Sequence, residues 1–91
     1  MSKTVKQEAL IQNTKGLHAR ASAQIVNLAD SFQATTYICY QDMRVPAQSI
    51  MGLLMLGAGQ GSLLMIEGEG IDAEQAVACL VSLIENKFGE G

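Results

Sequence analysis

Residues 34–47 read ATTYICYQDMRVPA. The first seven are rich in β-branched and aromatic side chains, a composition that suits a strand. Gln41-Asp42 reads as a two-residue turn, since Asp tolerates unusual backbone angles. Residues 43–47 then return as a short second strand. Pro46, the one proline of the chain, cannot donate to a ladder, so it puts this strand at a sheet edge or marks its end. Upstream of the hairpin, Ala21, Ile25, Leu28, Ala29 and Phe32 fall at offsets of 4, 7, 8 and 11 from Ala21, which is one face of a helix. Asn13-Thr14-Lys15-Gly16 is loop chemistry. Residues 4–12 alternate loosely, with Val5, Ala9 and Ile11 on one face and Lys6 and Glu8 on the other, as in a half-buried strand. Downstream, Ser49 is placed to cap a short helix over 50–56 that stops at Gly57. SLLMIE, residues 62–67, reads as a buried strand. Asp72 with Gln75 resembles a capping box, and Val77, Leu80, Val81, Ile84 and Phe88 mark the inner stripe of a last helix. The order is β-α-β-β-α-β-α, an α+β chain in which a four-stranded antiparallel sheet carries three helices on one face. The other face of such a sheet can stay open to water.

The chain has 91 residues, enough for one domain spanning 1–91. Hydrophobic residues make up 48% and charged residues 16%, so the composition is globular. A net charge of −3, with six scattered Lys and Arg, gives no basic stripe for nucleic acid. Cys39 and Cys79 form no CxxC, and two Cys with one His make a poor zinc set. They are expected to be reduced, buried thiols. The first residues, MSKTVKQEALI, lack the apolar core of a signal peptide. The apolar run over 50–66 is interrupted by glycines and is shorter than the roughly 20 residues of a spanning helix. A soluble cytoplasmic monomer is expected, with no metal and no cofactor.

The single histidine, His18, lies in GLHARASAQ, residues 16–24, where the loop gives way to the first helix. Helix starts carry unpaired N–H groups and partial positive charge. Both disfavour a protonated ring, and both favour an anion attached to it. Arg20 adds a permanent cation with a planar fork of donors. A charge-assisted hydrogen bond of this kind contributes roughly 1.5–3 kcal/mol. These parts suit a covalent phosphohistidine better than hydrolysis, because phosphoryl transfer needs positioning and charge compensation and no second catalytic group stands nearby. A lone histidine at a helix start is also an ordinary surface or capping residue, and the string alone is a weak signal.

GLHARASA resembles the active-site segment of the HPr family, the histidine-containing phosphocarriers of the bacterial phosphotransferase system. SIMGLLMLGAGQG, residues 49–61, resembles that family's second helix and the turn after it. The element order matches its open-faced β-sandwich. The resemblance implies that His18 accepts a phosphoryl group on Nδ1, that Arg20 contacts the active site, and that backbone amides after His18, including that of Ala19, face the phosphoryl group. It also implies Enzyme I as donor, an EIIA-type protein as acceptor, and a stoichiometric carrier rather than an enzyme. Ala21 stands where the commonest family pattern has proline, which would pre-set φ in the first turn. With the closing FGEG, this looks more like the proteobacterial carriers of the nitrogen-related branch, or related HPr forms, than like typical sugar-branch carriers.

Ser49 is fully explained as an N-cap worth about 1 kcal/mol. In the resembled family the position can also be the target of a serine kinase/phosphorylase, and a phosphate there would add nearly two negative charges. Ile50, Met51, Leu54 and Met55 are more apolar side chains than a two-turn helix buries on one stripe, so they are candidates for partner docking, Met51 and Leu54 foremost. Leu53 and Leu56 are core by spacing. Gly57-Ala-Gly59-Gln-Gly61 is a tight turn, since it follows a helix and precedes a strand, the reverse of a dinucleotide site. Glu67, Glu69, Asp72 and Glu74 read as solvated surface. A different class of function remains open to the same residues: a regulatory binding module working through Ser49 and the apolar helix surface, with His18 idle.

Overall fold

The structure, a computed structural model, describes residues 4–90. The mid-chain hairpin forms as the sequence predicts. Thr35–Tyr40 (β2) pairs antiparallel with Met43–Pro46 (β3), Tyr40 opposite Met43. The left-handed residue of the turn is Gln41, with φ 54°, and not Asp42. Thr4–Leu10 (β1) and Leu63–Glu69 (β4) complete an antiparallel sheet in the order β1-β4-β2-β3. Pro46 therefore sits on an edge strand. β1 ends two residues earlier than its alternation suggests, yet Ile11 continues the pairing through backbone bonds with Ser62 and Gly61.

Ala19–Asp30 (α1), Ile50–Met55 (α2) and Ala73–Glu85 (α3) lie on one face of this sheet. α3 packs on β1, β4 and β2, and α1 packs on α2 and α3. The sheet contributes Ala9, Ile38, Leu64 and Ile66 to the core, α1 contributes Ala21, Ile25 and Ala29, and Leu53 comes from α2. Burying each of the isoleucine and leucine side chains stabilises by roughly 1.5–3 kcal/mol. Gly68 lets α3 lie close to β4, because a Cβ there would stand 2.7 Å from a Val77 methyl.

The end of α3 departs from its stripe. The helix stops at Glu85, and Phe88 follows in a separate 3-10 turn, Lys87–Gly89, with φ 56°. Its ring is still buried in the core.

Neither cysteine is buried, contrary to expectation. Cys79 is exposed on α3, outside the Val77-Leu80-Val81-Ile84 stripe, and Cys39 is half-buried on the open sheet face. Burial and the neighbouring Glu67 carboxylate push the Cys39 thiol up, so it is a poor nucleophile at neutral pH. Glu67 is not merely solvated. It accepts from Arg44 Nε at 3.0 Å, and Arg44 also lies over the Tyr37 ring.

Asp72 does not form a capping box. Its side chain makes no bond to the start of α3. Its carboxylate instead accepts from the backbone N–H groups of Gln33 and Ala34, at 2.9 and 2.7 Å. Asp72 thus ties the segment after α1 to the start of α3. Asp72→Ala is expected to lower stability by about 1–2 kcal/mol in urea unfolding and to expose the Gln33 and Ala34 amides to hydrogen exchange. Unchanged exchange at both amides would contradict this tie.

Candidate functional site

The loop before α1 is shaped by Gly16. Its φ of 61° is left-handed, and a Cβ there would sit 2.5 Å from the Ala58 carbonyl oxygen and 2.7 Å from Gly59 Cα. Only a glycine allows that approach at this φ. The next residue uses the closeness: Leu17 N–H donates to Ala58 O at 3.1 Å. The loop is thereby fastened to the turn that follows α2. Asn13, 2% exposed, braces it from inside, with Nδ2 donating to Gly16 O at 2.9 Å.

His18 comes next, with extended backbone (φ −71°, ψ 176°), at the N-cap of α1. Its carbonyl accepts the first helical bond, from Ser22 N–H at 2.9 Å. Its ring does not cap the helix. The side chain is 24% exposed and lines an open cleft of about 560 Å³ together with Thr14, Lys15, Ala19, Arg20 and Glu90. The ring is therefore neither entombed nor fully in solvent. Amides of the first helical turn have no partner within the helix, and the macrodipole adds positive character at this end. Arg20 is exposed and has no hydrogen-bond or ion-pair partner among the described residues, which leaves its fork of donors available.

One member of the cleft escaped the sequence reading. Glu90 Oε2 contacts His18 Nε2, across 72 residues of sequence. Glu90 Oε1 also accepts from Asn13 Nδ2 at 3.1 Å. The hydrogen bond with His18 is the main reason the Glu90 carboxyl lies below the usual carboxylate range. Loss of water opposes that shift, while Asn13 and the charges of His18 and Lys15 add to it. Nδ1 of His18 has no protein partner among the described residues. Lys15, read from the sequence only as loop, contributes a second cation to the cleft.

The other predicted positions lie outside the cleft lining. Ser49 is half-buried and caps α2, its Oγ accepting from Gly52 N–H at 3.0 Å. Leu53 and Leu56 are buried, whereas Ile50, Met51, Leu54 and Met55 are exposed, Met51 by 69% and Met55 by 74%. α2 thus presents an apolar surface beside α1. Among the described residues no group of three or more His, Cys, Asp or Glu could hold a metal ion, and no helix is long and apolar enough to cross a membrane.

The family model of the PTS HPr component phosphorylation site matches residues 5–86. The chain is 42% identical over 87 residues to the phosphocarrier protein HPr of Cupriavidus necator, covering 96% of this chain and 98% of that protein. It is 36% identical to the phosphocarrier protein NPr of Shewanella violacea, covering 94% of each. Among solved structures, HPr-C-His from Thermoanaerobacter tengcongensis superposes with a TM-score of 0.86 at 43% identity, covering 98% of both chains.

Gly16→Ala is expected to destabilise by about 2 kcal/mol or more, from left-handed strain plus the clash with the Ala58 carbonyl. Urea unfolding measures it. A loss under about 0.5 kcal/mol, the range of an ordinary surface change, would contradict the fastening of this loop.

Proposed function

We propose, from the premise that this chain belongs to the HPr family of phosphotransferase-system phosphocarriers, that His18 is the residue on which it carries its phosphoryl group. The observation that carries the reading is the position of the ring: partly exposed, at a helix start, in a cleft shared with Arg20 and Lys15. A lone pair on the ring attacks the phosphorus of the donor's phosphohistidine. The new N–P bond forms as the old one breaks, and the electron pair leaves with the donor's nitrogen. The incoming oxygens meet the amides after His18, including that of Ala19, and the guanidinium of Arg20. The amides at the helix start are in place before the reaction, so they need little reorganisation when the charge arrives.

Enzyme I is the donor in this reading and an EIIA-type protein the acceptor, in sugar uptake or in nitrogen-related regulation. Ile50, Met51, Leu54 and Met55 form the surface on which both dock. Methionine re-packs easily, which suits one surface used by successive partners. Ser49 lies at the edge of that surface. Phosphorylation there by a serine kinase would place negative charge beside the docking patch while leaving oxygen acceptors at the start of α2, where Ser49 Oγ now accepts from Gly52 N–H.

With Enzyme I and phosphoenolpyruvate, the wild-type chain is expected to take up an acid-labile, base-stable phosphate. His18→Ala should take up none. Arg20→Ala should keep its thermal stability and slow the transfer roughly tenfold or more, as loss of a charge-assisted hydrogen bond implies. Equal uptake by His18→Ala and wild type would overturn the assignment of His18.

A further inference from the structure

We propose that Glu90 is a positioning residue for His18: its carboxylate holds the ring proton on Nε2 and so keeps the nucleophilic lone pair on Nδ1. This deepens the phosphocarrier reading and rests on it.

The argument starts from donor and acceptor chemistry. An ionised carboxylate only accepts hydrogen bonds. Glu90 Oε2 is in contact with Nε2, so the proton between them belongs to the ring nitrogen. In the uncharged ring the other nitrogen, Nδ1, then carries the lone pair. Nδ1 is the nitrogen without a protein partner among the described residues. Glu90 is itself fixed. Its second oxygen accepts from Asn13 Nδ2, and that same buried amide holds the Gly16 carbonyl. The segment that delivers it is anchored by Phe88, 4% exposed in the core, and by Glu90 N–H donating to Lys87 O at 2.9 Å. The depressed carboxyl keeps Glu90 ionised at neutral pH.

The role follows through both half-reactions. On the way in, Nδ1 forms the N–P bond and the Nε2 proton stays where it is, shared with Glu90. The ring's new positive charge faces a carboxylate. On the way out, the N–P electron pair returns to Nδ1 and the ring leaves as neutral imidazole. If the Nε2 proton were lost in between, the leaving group would be an imidazolate, a far poorer one. Glu90 therefore favours the correct tautomer before transfer and the correct protonation state after it. No proton enters or leaves the site in either direction.

The test uses the full chain with Glu90→Gln, Glu90→Ala and Glu90→Asp, and two readouts. Ring 15N NMR of the unphosphorylated chain reports the His18 tautomer without any transfer taking place. Stopped reactions with Enzyme I and phosphoenolpyruvate give kcat and KM for the carrier. Wild type should show the Nε2–H tautomer. Glu90→Ala and Glu90→Gln should mix the tautomers and lower kcat by about tenfold or more, with little change in KM, and Glu90→Asp should recover part of both. A purely structural tail would change the melting temperature and leave the tautomer alone. A wild-type Nδ1–H tautomer, or tautomer and kcat unchanged in Glu90→Ala, overturns the role of Glu90 and leaves the phosphocarrier reading standing. No uptake by wild type overturns both.

Discussion

The close approach of Gly16 to the Ala58 carbonyl fixes everything at this site. The loop before α1 could leave the sheet in many directions. A left-handed glycine, the Leu17–Ala58 hydrogen bond and the Asn13 amide reduce these to one. His18 is then at the helix start with its ring over the cleft, while Leu17 on its other side is buried. The same fastening brings α1 and the turn after α2 together. The ring and the apolar surface become parts of one face, although 32 positions of sequence separate His18 from Ile50.

The two layers divide the work of the molecule. The helical layer buries the apolar stripes and carries the ring, the cations and the exposed side chains of α2. One part of the open sheet face is polar and paired: Glu67 gathers Arg44 and, at 4.0 Å, Lys6, with Cys39 Sγ 3.4 Å away, while Leu10 and Leu63 stand exposed elsewhere on it. Charges of both signs on that face neutralise one another locally, and exposed pairs of this kind contribute little stability. Arg20 and Lys15 bring positive charge to the cleft as well, Lys15 acting on the Glu90 carboxylate. An acidic chain can therefore still present a local site suited to an anion.

What the sequence made legible was local. β-Branched and aromatic runs, the 3.6-residue stripe from Ala21 to Ala29, the cap at Ser49 and the edge proline each depend on neighbours in the chain, and each appears in the structure. Phe32, read as part of that stripe, lies past the end of α1 at Asp30. Cys79 was misread because free cysteine is usually buried while its place on α3 is off the buried stripe, and the other misses turn on tertiary contacts. Asp72 matches a cap motif locally, but two amides across 38 and 39 residues claim its carboxylate. Phe88 fits the spacing of α3, yet the core takes it only after the chain breaks from the helix. Glu90 had no local signal at all, because its partners His18 and Asn13 lie near the other end of the chain. His18 and Arg20 stood out as a histidine and a cation at a helix start, a weak signal alone, and the resemblance of GLHARASA to the HPr segment is what singled them out together with the Ala19 amide.

The most direct measurement is made on the phosphorylated chain itself. With the histidine ring labelled with 15N, coupling to 31P identifies the nitrogen that bears the phosphoryl group, and the attached-proton signal identifies the other. Phosphorus on Nδ1 of His18, with the proton retained on Nε2, is the expected result. Phosphorus on Nε2, or on any residue other than His18, would contradict it.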